Sequence, residues 1–145
     1  MTTKVHFEQL AQPDRVKGIA QLLLRRNRLT PPVLILCPDE YSAEQLDALL
    51  WTIHPEAFLA HARHSDHNLE SSDQPILIST EIVRDNHPEV LINAGLEVPP
   101  DVTGFRNIVD FSDEWDPSLK QMARERWRTY VSLGLPPTYL KKGKP

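Results

Sequence analysis

The sequence predicts a three-layer α/β domain, with a mostly parallel sheet flanked by helices, and three observations carry that expectation. Strand and helix signals alternate along the whole chain. Val33-Leu-Ile-Leu-Cys37 is a continuous apolar run between prolines, which suits a strand buried on both faces. The last helical segment carries both a start and a stop signal.

Taken in order, Val5 to Leu10 reads as a first, edge strand. From Asp14 to about Asn27, apolar residues at Val16, Ile19, Ala20, Leu22, Leu23 and Leu24 give a helix with a wide buried face, stopped by Pro31 and Pro32. After the Val33 strand, Ser42 and Gln45 resemble a capping box and open a short helix through Leu46, Leu49 and Leu50. His54 to Asp73 is polar and without period, read as loop with one short strand around Phe58. Pro75 to Ser79, Glu89 to Asn93 and Phe105 to Phe111 are three further strands. In the final helix Asp116 suits the cap, Pro117 the first helical position and Gly134 the terminating one.

A chain of 145 residues with 40% hydrophobic and 25% charged residues suits one globular domain over 1–145, with no repeat or linker to divide it. No apolar run approaches the roughly 20 residues of a membrane helix, and no secretory signal is visible. Cys37 stands alone, so no internal disulfide forms; a cytoplasmic protein is expected. The formal charge of −4 argues against coating nucleic acid by charge alone. That charge is unevenly spread. Residues 120–145 hold seven cations against Glu125, a net of +6, which leaves −10 for the other residues. A basic end on an acidic body suggests a local site for an anionic partner, although a solubilising tail has the same composition.

An α/β domain invites a nucleotide-binding reading, but the phosphate-binding loop is missing. The five glycines are scattered, and the turn after the buried strand presents Asp39 and Glu40 where a phosphate would sit. His61, His64 and His67, with Asp66 and Asp73 nearby, would share one side of a helix as metal ligands do. The loop-like residues after them and the lack of a second ligand cluster favour a polar surface loop that happens to hold histidines. Cys37, in an apolar strand, reads as a small core residue rather than a nucleophile.

On the final helix, Leu119, Met122, Ala123, Tyr130 and Leu133 form the core stripe. Lys120, Arg124, Trp127 and Val131 share the adjoining flank, with Arg128 just beyond. An aromatic ringed by cations suits a ligand that is both apolar and acidic; a solvated basic face with a half-buried Trp is the plainer alternative. Arg126 projects into the apolar stripe and needs a partner, for which Asp110 is the candidate, in a structural pair.

The stretch from Asp110 to Tyr130, preceded by Val109, opens on Asp-Phe and continues to Ser-Leu-Lys-Gln-Met-Ala-Arg-Glu-Arg-Trp. Two further blocks are Val33-Leu-Ile-Leu-Cys-Pro-Asp-Glu with Ala43-Glu-Gln-Leu-Asp47 and Leu50-Trp51, and Pro55-Glu-Ala-Phe58-Leu-Ala-His61. In order and spacing these resemble the chi subunits of bacterial DNA polymerase III, and with the N-terminal strand–helix unit the resemblance spans nearly the whole chain. It implies a fold like nucleotide-binding domains without a nucleotide site, and an adaptor without catalysis, cofactor or metal. It also implies two protein-binding surfaces. On the final helix, Lys120, Arg124, Trp127 and Arg128 would hold the acidic C-terminal tail of single-stranded-DNA-binding protein, which ends in aspartates and Pro-Phe. Arg124 or Lys120 would take the terminal carboxylate, Trp127 wall the pocket for Phe, and Arg128 attract the aspartates. Trp51 and Phe58 would anchor the psi subunit of the clamp loader, and DNA would be reached only indirectly. Ser112 stands where relatives tend to have an apolar residue, and Val131 where a further basic one occurs. The competing classes are a metal-dependent α/β enzyme using Asp39, Glu40 and the His61–His67 cluster, and a direct DNA binder using the basic end.

Overall fold

The computed structural model describes residues 3–25, 32–52, 61–64 and 75–140. Its elements run β1 (Lys4–Leu10), α1 (Arg15–Arg25), β2 (Val33–Leu36), α2 (Glu40–Thr52), β3 (His61–Arg63), β4 (Ile76–Ser79), β5 (Val90–Asn93), β6 (Asn107–Asp113), α3 (Pro117–Ser132) and β7 (Thr138–Tyr139). The strands form one sheet of seven in the order β3-β4-β2-β5-β6-β1-β7, with every pairing parallel.

Because alternate strand residues point to opposite faces, each central strand feeds two cores. Val33, Ile35, Ile76, Ile78, Val90 and Ile92 meet Ile19, Leu23, Leu46 and Leu50 of α1 and α2 on one face. Leu34, Leu77, Leu91 and Ile108 meet Ala123 and Tyr130 of α3 on the other. Burying each large aliphatic is worth about 1.5–3 kcal/mol, so the two layers hold the sheet from both sides. The apolar run at residues 33–37 belongs to a strand flanked by β4 and β5, as a doubly buried strand must be.

Four details depart from the sequence expectations. β1 is not the edge: it pairs with β6 from Lys4↔Asn107 to Leu10↔Asp113 and carries β7 on its other side. The cap of α2 is Asp39, whose Oδ1 accepts the Ser42 amide at 2.8 Å; Ser42 lies inside the first turn, so the capping box was read three residues late. The short strand expected around Phe58 is β3, at His61–Arg63, whereas Phe58 itself lies outside the described residues. Leu133, assigned to the core stripe, is 52% exposed, because α3 ends one residue before it and the chain turns away.

Candidate functional site

The candidate site is built on α3, and its position follows from two caps and one buried charge pair. Asp116 accepts the amides of Ser118 and Leu119 at 2.8 and 3.2 Å, and Pro117 begins the helix, where its missing N–H costs nothing. At the other end, Leu135 N donates to Tyr130 O at 2.9 Å and Gly134 N to Val131 O at 3.0 Å, with Gly134 at φ +80°. This paired closure needs a residue at ease in the left-handed region, which glycine is.

Between the caps, Arg126 holds α3 to β6. Its Nε lies 3.2 Å from both oxygens of Asp110, Nη1 donates to Leu96 O at 3.0 Å, and Nη2 donates to Phe111 O at 2.7 Å. Asp110 also accepts from the Tyr130 hydroxyl at 2.8 Å and Asn93 Nδ2 at 3.1 Å. Burial, reinforced by Asp110, pushes the Tyr130 phenol well above its ordinary value, so it remains a donor. The pair read from sequence as structural is part of this fully bonded network.

With Arg126 turned inward, the next flank of α3 faces β1 and β7 across a groove of about 390 Å³. Lys120, Arg124, Trp127 and Arg128, the four residues that the family resemblance implies, all line it. Trp127 is backed by Phe7 at 5.1 Å between ring centroids and meets Tyr139 at 4.9 Å, giving an aromatic wall. Ser112 and Glu114, at and just beyond the end of β6, close one side. Lys120 Nζ is 3.2 Å from Glu114 Oε1, and the Ser112 hydroxyl donates to Glu114 Oε2. Burial works to raise the Glu114 carboxyl, but Ser112, Lys120 and Arg124 outweigh it and hold the group below its usual range. Arg124 and Arg128 are exposed and make no ion pair within 4 Å among the described residues. Val131, on the same flank by helical angle, is half exposed and does not line the groove.

Phe7, Gln9, Glu114 and Tyr139 line the groove but were missed as site residues. Tyr139 sits on a strand of two residues, too short for any periodic signal, and only an aromatic after Pro136-Pro137 hinted at it.

The groups of the metal-enzyme alternative do not converge among the described residues. Asp39 caps α2, and its hydrogen bonds with Ser42 lower its carboxyl. Glu40 Oε2 accepts from Arg63 at 2.8 Å. Buried His61 puts Nε2 3.1 Å from Asp47 Oδ1, whereas His64 pairs with Asp85 at 3.3 Å. The spacing of three would align imidazoles on a helix, but here it starts in a strand, where an odd step changes face. His67, Asp66 and Asp73 lie outside the described residues. Cys37 is buried, and that burial, with Asp39 and Glu40 adding to it, pushes its thiol up to about 12, a poor nucleophile.

At the far edge of the sheet, Trp51 is 56% exposed near the end of α2 and its ring lies against His61, tilted by 49° at 4.5 Å between centroids. No helix among the described residues is long and apolar enough to cross a membrane.

The family model described as "DNA polymerase III chi subunit, HolC" matches residues 1–138. The chain is 29% identical over 137 residues to DNA polymerase III subunit chi of Pseudomonas aeruginosa, covering 92% of this chain and 93% of that protein. To the subunit chi of Escherichia coli it is 31% identical over 117 residues, covering 80% and 78%. Among solved structures it is similar in fold to the C-terminal domain of the DEAD-box protein Dbp5, with a TM-score of 0.63 at 10% identity over 94% of this chain and 90% of that one. A DEAD box protein from Methanococcus jannaschii gives 0.64 at 14% identity over 97% and 42%.

Proposed function

Since the chain belongs to the DNA polymerase III chi subunit family and so has its role in DNA replication, we propose that it acts there as a non-catalytic adaptor gripping the acidic C-terminal tail of single-stranded-DNA-binding protein in the α3 groove. The observation that supports this most is the composition of the groove. Two guanidiniums with no ion pair among the described residues, and one ammonium, surround an aromatic wall of Trp127, Tyr139 and Phe7, which suits a ligand with an apolar end and several carboxylates. Trp127 and Tyr139 take the terminal Phe of the tail, Arg124 and Lys120 its carboxylate, and Arg128 the aspartates before it. A bare oligonucleotide offers phosphates but no apolar terminus, so the groove suits it less well.

Calorimetric titration with a peptide ending in aspartates and Pro-Phe tests this, beside a control lacking the final Phe. Binding in the micromolar range, about −8 kcal/mol, is expected. It should vanish in the control and weaken about tenfold with Arg124→Ala, the scale of one charge-assisted hydrogen bond. Binding to neither peptide at low salt would overturn the proposal.

The second part of the proposal is that exposed Trp51 helps anchor the psi subunit, joining the tail-bound chain to the clamp loader. Co-purification with co-expressed psi should fall sharply on Trp51→Ala. Undiminished recovery would sink this part alone.

A further inference from the structure

Glu114 is a carboxylate of the protein's own lying in a groove otherwise suited to foreign carboxylates. Its two oxygens are already engaged, Oε1 by Lys120 Nζ at 3.2 Å and Oε2 by the Ser112 hydroxyl. Those two donors outline a seat for one carboxylate, and the seat is filled. The main chain at Glu114 is held independently, by its amide donating to Leu10 O at 2.8 Å, so its side chain can leave by rotation while the end of β6 stays in place. The Lys120–Glu114 pair is also easily broken. Its side chains are 39% and 25% exposed, whereas those of Arg126 and Asp110 are 3% and 0% exposed. Partly exposed pairs exchange partners at small cost; buried ones do not.

We propose that Glu114 is a resident stand-in for the ligand's terminal carboxylate, which must displace it from Lys120 and Ser112 to bind. This rests on reading the groove as a peptide-tail site. Exchanging one carboxylate for another at Lys120 is close to neutral, so the Lys120 contact adds little affinity. Net attraction has to come from Arg124, from Arg128 with the upstream acidic residues, and from the aromatic wall. Glu114 therefore selects against ligands that bring one carboxylate and nothing else, such as the free C-terminus of an arbitrary protein.

The test uses the full chain and two fluorescent peptides, both acidic and ending in Pro-Phe, one with a free C-terminal carboxylate and one amidated. Glu114→Gln empties the seat of negative charge. It should tighten the free-acid peptide by about fivefold, the scale of one partly exposed ion pair, and leave the amide within about twofold. Glu114→Ala should show the same pattern and serves if the glutamine variant folds poorly. Equal tightening of both peptides would overturn the inference, because Glu114 would then act only as a diffuse negative charge. Weaker free-acid binding would overturn it as well, because Glu114 would then be positioning Lys120 for the ligand. Wild-type protein that binds neither peptide overturns the tail-site reading itself, and is distinguishable from both.

Discussion

Two ion pairs, six and sixteen positions apart along the chain, show how one interaction type can serve opposite ends. Arg126 and Asp110 are buried, and every polar atom of the pair has a partner, so removing one leaves the other stranded in a low-dielectric interior. Arg126→Ala should cost about 3–5 kcal/mol in urea unfolding. Lys120→Ala, which breaks the half-exposed pair with Glu114, should cost less than about 1 kcal/mol. Comparable losses in the two variants would contradict the assignment of one pair to structure and the other to binding. Both residues were legible in sequence by the same reasoning. At 100° per residue Arg126 falls in the apolar stripe and Lys120 on its flank, and a cation in the stripe has to be paired. Glu114 was illegible because it stands in a turn, where no periodicity says which way a side chain points.

At the scale of elements, α3 was the most legible part of the fold. Its ends are set by local chemistry, Asp116 and Pro117 at one and Gly134 at the other, and local chemistry is what a sequence displays. β7 was invisible for the converse reason. Two residues cannot express an alternation, and Thr138 and Tyr139 are a strand only because β1 lies alongside. β3 stands a few residues after the strand expected around Phe58, because three residues in a polar segment without period give no signal for where a strand begins. Gly134 connects the legible element to the illegible one: its turn directs the chain from α3 back to β7 and so sets where Tyr139 stands. Gly134→Ala places a Cβ at φ +80° and should lower stability by about 1–2 kcal/mol, although nothing lies within 4 Å to clash with the new methyl. Affinity for the acidic peptide should fall with it, as the Tyr139 wall shifts. Full stability with lost affinity, or the reverse, would separate the turn from the wall.

For the whole molecule, the strand order matters more than any one contact. Trp51 lies against His61 of β3 and the groove borders β7, the two extremes of the sheet. Six strand spacings of about 4.8 Å put them roughly 25–30 Å apart, several times the Debye length of about 8 Å at physiological salt. The two proposed surfaces should therefore act independently. Trp51→Ala should leave peptide affinity unchanged, Arg124→Ala should leave psi recovery unchanged, and the double variant should show the sum of the single losses. Coupling between them would mean that the sheet transmits strain from edge to edge. The same strand order has a consequence for how the protein is made. β1 is synthesised first, yet its ladder partner is β6, and the bond from Thr3 to Phe105 already spans 102 residues. Contacts that distant in sequence close slowly, and during synthesis Val5 and Phe7 have no sheet to join until most of the chain exists. The alternation of Lys4, His6 and Glu8 with those apolar residues is what keeps the nascent strand hydrated while it waits. Slow translation through residues 105–113, or truncation just before them, would leave that strand exposed to its neighbours on the same polysome.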